Sequence, residues 1–277
     1  MEIFSIFKCK SRYWNKTFNK SIALPDAKYI SILHTYLSSQ LAKGINCIQS
    51  GEINKDVYKL VCQTLLTQII ILNRRRSGEV ERIKIEYYLN RDKNKIQEDI
   101  QKALSSVENQ LSKNLVKFEI RGKRDRGVPV LLTPDMQKAF DILIKMRKSF
   151  NILESNPYMF ATPFTIEGSN RGTDCLRDAA TKSGATSPEL LRSTKFRKHV
   201  ATMTQLLCLS DNDRQQLATF MGHNLSIHDE YYRLPNETLQ LSRVSKILLA
   251  VDSGRFEELK GKSIEELDSF IPQINTD

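Results

Sequence analysis

The chain has 277 residues, of which 40% are hydrophobic and 27% are charged, and its formal net charge is +10. This composition excludes wholesale disorder, and no apolar run reaches the roughly 18 residues that a membrane span needs. The amino terminus has no cleavable signal pattern. The five cysteines form no Cys-x-x-Cys pair, which favours reduced thiols in an intracellular compartment over disulfides or a zinc site. They are Cys9, Cys47, Cys62, Cys175 and Cys208.

The positive charge is concentrated in three clusters, at 74–76, 121–126 and 192–198. A surface of this kind attracts phosphate polymers or anionic membranes. A generic basic surface is the alternative explanation of the overall charge, but it does not explain the clustering.

The first half of the chain is predicted to be helical. Residues 1–23 are predicted to form a partly ordered tail or a segment that docks on another surface. Asp26 is a predicted cap for a helix from Ala27 to about Lys43. A second helix, from about Asn54 to Asn73, is apolar on most sides and therefore belongs in the middle of the core.

One small sheet is predicted in the middle of the chain. Residues 80–89 fit either a helix or a strand, and 94–111 are predicted to form one amphipathic helix. The alternating runs 116–121 and 127–132 predict a β-hairpin with a charged turn. Pro129 places the second strand at a sheet edge.

From Thr133 onward the pattern is helical, with Pro134, Asp211 and Gly222 as boundary signals. The predicted helices are 134–150, 170–183, 194–208, 211–221, 225–233, 237–250 and a short one near 263–270. We therefore predict an α+β fold that is mainly α-helical, with one small antiparallel hairpin.

The carboxyl-terminal part contains the most informative local signal, Gly222-His223 followed nine residues later by Tyr232. The glycine ends a helix and so places the histidine at a turn. A tyrosine hydroxyl can attack phosphorus, and the phosphotyrosine that forms conserves the energy of the diester. Plain packing of the tyrosine pair is the alternative. Tyr231 competes with Tyr232, since adjacent helical residues point about 100° apart.

Basic residues elsewhere are candidates for binding phosphate. Arg197 lies near a helix start, although a solvated basic turn is the alternative there. Arg76 ends a run of three arginines, where Glu79 can hold it by a charge pair. Membrane or nuclear-import binding is the competing interpretation of that run. Lys123, at the hairpin tip, can protonate a departing oxygen or simply aid solubility.

In combination, these residues resemble the catalytic domain of the tyrosine recombinases, the phage-integrase family of DNA breaking-and-rejoining enzymes. That family has Arg-x-x-Glu, a hairpin lysine, His-x-x-Arg, Leu-Gly-His and a tyrosine nine residues on. The matching positions here are Arg76-Ser-Gly-Glu79, Lys123, Arg197, Met221-Gly-His223 and Tyr232. The resemblance covers residues 24–252, which we predict to be the catalytic domain. A tail with a short helix, 253–277, follows it.

The resemblance implies a role for each residue. Tyr232 attacks the scissile phosphate to form a 3′-phosphotyrosyl link, and Lys123 protonates the leaving 5′-oxygen. Arg76, Arg197 and His223 stabilise the negative charge. No metal or cofactor is implied. The implied partner is double-stranded DNA rather than a membrane, and a homo-oligomer assembled on DNA is compatible with it. The compartment is the nucleus of a eukaryote or the cytoplasm of a prokaryote.

Two departures from the family pattern leave alternatives open. Thr194 stands where a histidine is expected, with Lys195 beside it as a substitute. The family's amino-terminal DNA-clamping domain also has no counterpart in 1–23. A catalytically inactive, recombinase-derived DNA-binding protein is therefore the second hypothesis. A relaxing topoisomerase with the same chemistry is the third.

Overall fold

Two long helices open the described part of the chain. The structure, a computed structural model, describes residues 23–92, 98–122, 125–204, 210–222 and 266. Helix α1 spans Ala27–Gln49 and continues past its predicted end. Its predicted cap is confirmed, since Asp26 accepts a hydrogen bond from the backbone N–H of Lys28 at 2.8 Å. Helix α2 spans Lys55–Leu72 and is buried on most sides, which confirms the prediction of a core helix.

The ambiguous stretch 80–89 forms no extended strand. Two short helices, α3 at Ser77–Val80 and α4 at Ile85–Leu89, flank an isolated antiparallel bridge between Lys84 and Tyr158. Val80, Ile83 and Tyr88 are buried there. The spacing of these buried residues changes from one short helix to the next, so neither a helical nor a strand period fits the whole segment.

The single helix predicted over 94–111 is wrong. The described residues there form two helices, α5 at Glu98–Ala103 and α6 at Ser106–Asn114. Ser105 breaks the run by capping α6, because its hydroxyl accepts from the Glu108 N–H at 3.2 Å and the Glu108 carboxylate accepts from the Ser105 N–H at 2.7 Å. This capping box satisfies the free N–H groups of a helix start, so it favours a new helix at Ser106 over one continuous helix.

The predicted hairpin is confirmed. Strand β1, Val116–Arg121, pairs antiparallel with β2, Gly127–Leu132. Pro129 lies opposite Glu119 in this two-stranded sheet, so its missing N–H disrupts no further strand. The inward residues of both strands are buried in the main core, which fixes the hairpin's register.

Helices dominate the remaining described residues. They are α7 at Pro134–Lys145, α8 at Gly172–Lys182, α9 at Ser193–Met203 and α10 at Asp211–Phe220, with short 3-10 turns at Lys148–Phe150 and Pro188–Leu190. The helix predicted over 134–150 thus ends earlier and is followed by a tighter turn.

The predicted boundary signals of these helices have mixed outcomes. Pro134 does begin α7, and Gly222 has a φ of +70° just after α10. Asp211 is not the cap of α10, because the Ser210 hydroxyl accepts the hydrogen bond from the Asp213 N–H at 3.1 Å. The helices predicted at 225–233, 237–250 and 263–270 lie outside the described residues, apart from Glu266.

The core joins the hairpin to the helices around α2. Phe140 of α7 packs against Phe118 and Phe160, with ring centroids 6.0 Å apart in each pair. All described residues except Ala23 and Glu266 belong to one compact unit, 24–228. The predicted fold class, mainly α-helical with one small antiparallel sheet, is confirmed.

Candidate functional site

The loop after α2 is bonded to the hairpin and presents Arg76. The buried Asn73 side chain donates to the Leu131 carbonyl at 2.9 Å and accepts from the Leu131 N–H at 2.6 Å. Arg76 directly precedes α3, and its Nη1 lies 2.9 Å from the Glu79 carboxylate. The ion pair expected from their spacing is therefore present. Arg76 remains 39% exposed whereas Glu79 is 9% exposed, so the carboxylate acts as a buried anchor for an accessible guanidinium.

Arg197 connects two of the predicted segments. It lies on α9 and is 3% exposed. Its Nη1 donates to the Arg74 carbonyl at 2.7 Å and its Nη2 donates to the Met221 carbonyl at 3.0 Å. These charge-assisted bonds span 123 and 24 residues of sequence, and they tie the loop after α2 to the end of α10.

Arg75 is a second buried arginine, which the sequence interpretation missed. It is fully buried, donates to the Pro129 carbonyl and lies over the Phe220 ring with its Cζ 4.8 Å from the centroid. The pKa of Arg75 is lowered to about 10, chiefly by burial; the Glu79 carboxylate opposes this shift and the positive charge of Arg197 adds to it. The run of three arginines was the available signal, but it does not reveal which member turns inward.

The turn that leads to His223 lies against the hairpin. Gly222 adopts a left-handed conformation, and a Cβ added there would lie 3.3 Å from the Val128 side chain and 3.8 Å from Nη1 of Arg75. Gly122, at the end of β1, approaches the same Val128 side chain. The start of β2 therefore lies against the segment that immediately precedes His223.

Helix α9 starts beside α3. The hydroxyl groups of Ser193 and Ser77 lie 3.0 Å apart, which holds the two helix starts together. Lys195 is half-buried and Thr194 is exposed on the first turns of α9. Predicted residues Lys123, His223 and Tyr232 lie outside the described residues, so their side-chain positions stay predictions.

The described site has a positive electrostatic environment. Burial lowers the pKa of His34 on α1, and the Arg74 guanidinium lowers it further. The same two causes, in the same order, lower the pKa of His199 on α9. Two histidines from different helices thus respond to one arginine of this loop, and both are held in the neutral form near pH 7.

A cleft of about 590 Å³ opens beside Arg76. Its walls come from α3, from the residues that flank the Lys84–Tyr158 bridge and from the hairpin. The lining includes Arg76, Glu79, Arg82, Lys84, Arg121 and Tyr158. Four positively charged side chains and one acidic side chain make this cleft suited to an anionic ligand.

The fold is similar to that of solved site-specific recombinases. The XerH site-specific recombinase, in a post-cleavage complex with palindromic difH substrate, matches with a TM-score of 0.50 and 15% identity over 81% of this chain. XerH in a pre-cleavage difH complex has a TM-score of 0.48 with 15% identity, over 83% of this chain and 56% of that one. XerA recombinase has a TM-score of 0.46 with 14% identity, over 84% and 68%.

The extent of these similarities is limited to the fold. The matched region spans 53% of the first XerH chain, about half its length. No protein-family model matches the chain, and no curated protein matches it.

Two absences concern the described residues alone. Among their helices, none combines the length and apolar character that crossing a membrane requires. Within the same ranges, no three or more His, Cys, Asp or Glu side chains are grouped so that they could hold a metal ion.

Proposed function

We propose that this chain cuts and reseals a DNA strand through a covalent tyrosine link, as a recombination or integration enzyme. The observation that carries the proposal is the pair of hydrogen bonds from Arg197 to the carbonyls of Arg74 and Met221. They bring together three segments that were singled out independently in the sequence. The similarity of fold to a site-specific recombinase that binds difH substrate adds support.

The chemistry needs a nucleophile, a proton donor and a cationic frame. In the proposed reaction the Tyr232 hydroxyl loses its proton to solvent water as its oxygen bonds to phosphorus, and the bond from phosphorus to the 5′-oxygen breaks. Lys123 gives its proton to that oxygen, which leaves as a hydroxyl. Resealing reverses these steps, when a 5′-hydroxyl attacks the phosphotyrosine and the tyrosine leaves.

The described residues supply the frame. Arg76 is half-exposed and held by the buried Glu79, so it is placed to donate to a non-bridging oxygen without first having to be ordered. Lys195, half-buried on the first turns of α9, is proposed as the substitute for the histidine that the family pattern expects. Arg197 and Arg75 fix the turn before His223. We propose His223 as a phosphate donor beside Arg76 and Lys195.

The burial of Arg197 favours a second function. A guanidinium that is 3% exposed and bound to two backbone carbonyls is presented poorly to a phosphate. Together with the exposed Thr194, this observation favours a DNA-binding protein that uses Arg197 only as a structural link. Such a protein binds DNA in a salt-dependent manner and forms no covalent adduct. A topoisomerase would in addition relax supercoiled DNA without a partner strand.

The test is covalent trapping on nicked suicide duplexes. Because the target sequence is unknown, the purified chain is incubated with a pool of nicked duplexes of randomised sequence, and denaturing gels reveal protein–DNA adducts. Adduct formation that is lost in Tyr232→Phe and kept in the neighbouring control Tyr231→Phe supports the proposal. Loss in Tyr231→Phe alone would move the nucleophile by one residue. DNA binding without any adduct would favour the inactive protein.

A further inference from the structure

The cleft beside Arg76 is larger than one phosphate group requires. Its volume of about 590 Å³ is roughly twenty times the ~30 Å³ that a water molecule occupies in the liquid. A single phosphate group therefore leaves most of the cleft unfilled. The remaining lining combines positively charged side chains with tyrosine rings.

Arg82 is directed over the helix that presents Arg76. Its Nη2 would lie 3.1 Å from a Cβ added at Gly78, so the absence of a side chain at 78 makes room for the guanidinium. Arg82 is 63% exposed, and its Nη1 lies 3.5 Å from the carboxylate of Glu81. Glu81 is itself fixed, since its other oxygen accepts from the Gly172 N–H at 2.8 Å. Exposed pairs of this kind are weak, so a phosphate can replace the carboxylate as the partner of Arg82.

Lys84 and Tyr158 form the opposite side of the cleft on a rigid support. They face each other in the antiparallel bridge, with backbone hydrogen bonds on both sides of it at 2.8 and 3.0 Å. Tyr158 is half-buried and lines the cleft. The ring of Tyr87, by contrast, packs against the core and has the Lys84 ammonium 6.0 Å from its centroid. Tyr158 is therefore the better candidate for contact with a ligand.

We propose that this cleft binds one unpaired nucleotide next to the phosphate that Arg76 contacts. Its phosphate lies between Arg82 and Lys84, and its base stacks on the Tyr158 ring. Cationic side chains next to an aromatic ring are the usual means of binding single-stranded nucleic acid. A base inside an intact duplex keeps its face covered by its neighbours and cannot stack on a protein ring. This inference rests on the proposed function for the position of the adjacent phosphate.

The test compares two DNA probes with the full chain. One is an intact duplex, and the other has the same sequence with a 2-aminopurine in an unpaired position next to a nick. We expect tighter binding of the second probe and a change in 2-aminopurine fluorescence on binding. Tyr158→Leu should weaken binding of the unpaired probe about tenfold, which is the loss of one stacked base, whereas Tyr158→Phe should not.

Arg82→Gln should weaken binding of the unpaired probe more than binding of the intact duplex, and it should reduce the salt dependence of the unpaired probe. Its control is Arg177→Gln, since Arg177 is equally exposed on α8 and pairs with Asp174 at 2.8 Å. Thermal unfolding checks that each variant is folded. If Tyr158→Leu does not fold, the comparison of the two probes on the wild-type chain still decides the test.

Two results would overturn the inference. One is equal binding of the two probes with unchanged fluorescence. The other is a Tyr158→Leu variant that is folded and keeps the preference for the unpaired probe. Covalent adducts through Tyr232 together with either result would refute the nucleotide site alone. A Tyr158-dependent preference with no adduct would support the nucleotide site and contradict the proposed chemistry.

Discussion

The two buried arginines should differ sharply in what they contribute to stability, although each is replaced by the same residue. Arg197→Met removes two charge-assisted hydrogen bonds and leaves the carbonyls of Arg74 and Met221 without that donor. At about 1.5–3 kcal/mol for each such bond, the expected loss in the free energy of unfolding is about 3–6 kcal/mol.

Arg75→Met should cost much less. The variant loses the hydrogen bond to the Pro129 carbonyl and the contact with the Phe220 ring, about 2–5 kcal/mol together. It also removes Nε and Nη1, two buried donors that have no hydrogen-bond partner. Leaving both donors buried costs about 2–6 kcal/mol, so the gain and the loss are of similar size and the net change is expected to be close to zero.

The measurement is urea unfolding of the full chain, followed by circular dichroism for both variants and the wild type. An Arg75→Met loss as large as that of Arg197→Met would refute the reasoning, because it would mean that the unpartnered donors of Arg75 carry no penalty. An Arg197→Met loss below about 1 kcal/mol would also refute it, since the two carbonyl bonds would then contribute little.

Two further predictions concern titratable side chains. Burial first, and then Arg74, lower the pKa values of His34 and His199 in the folded chain, so the unfolded chain binds more protons below about pH 6.5. The contribution of these histidines to stability is therefore fully present above about pH 6.5 and is lost as the pH falls through their lowered pKa values. The difference in melting temperature between pH 7.5 and pH 5.5 should be smaller in a variant with both histidines replaced by Asn. An unchanged difference would contradict this assignment. Burial raises the pKa values of the Cys62 and Cys175 thiols to about 12. Iodoacetamide at pH 8 should label them only after urea unfolding, as peptide mass spectrometry can verify, and rapid labelling of the folded chain would be inconsistent with their burial.

Local patterns predicted the hairpin well because two signals agreed there. Alternation set the inward faces of β1 and β2, and the glycines at 122 and 127 marked the turn. The break at Ser105 has a local signal, the spacing of Ser105 and Glu108, but the amphipathic period continues through it and alone predicts one helix. The cap of α10 was placed one residue late for a similar reason, since Ser210 and Asp211 are both good capping residues.

The site was predicted less completely because part of it depends on tertiary packing. Arg74, Arg75 and Arg76 are chemically identical, and only the fold distinguishes the member that is buried against Phe220 from the one that is accessible in the cleft. Burial of a charged residue runs against the usual expectation, so composition alone argues against it. The role of Arg197 as a link between segments likewise has no sequence signal, because its partners are backbone carbonyls.

The central claim is that the cationic segments surround a phosphate that Tyr232 attacks. After incubation with nicked duplexes, trypsin and nuclease digestion yield the peptide 215–233, which lies between Arg214 and Arg233 and contains both tyrosines. Fragmentation by tandem mass spectrometry then assigns a linked nucleotide to one of them. We predict a nucleotide on Tyr232. An unmodified peptide from a preparation that binds the same duplexes would contradict the claim.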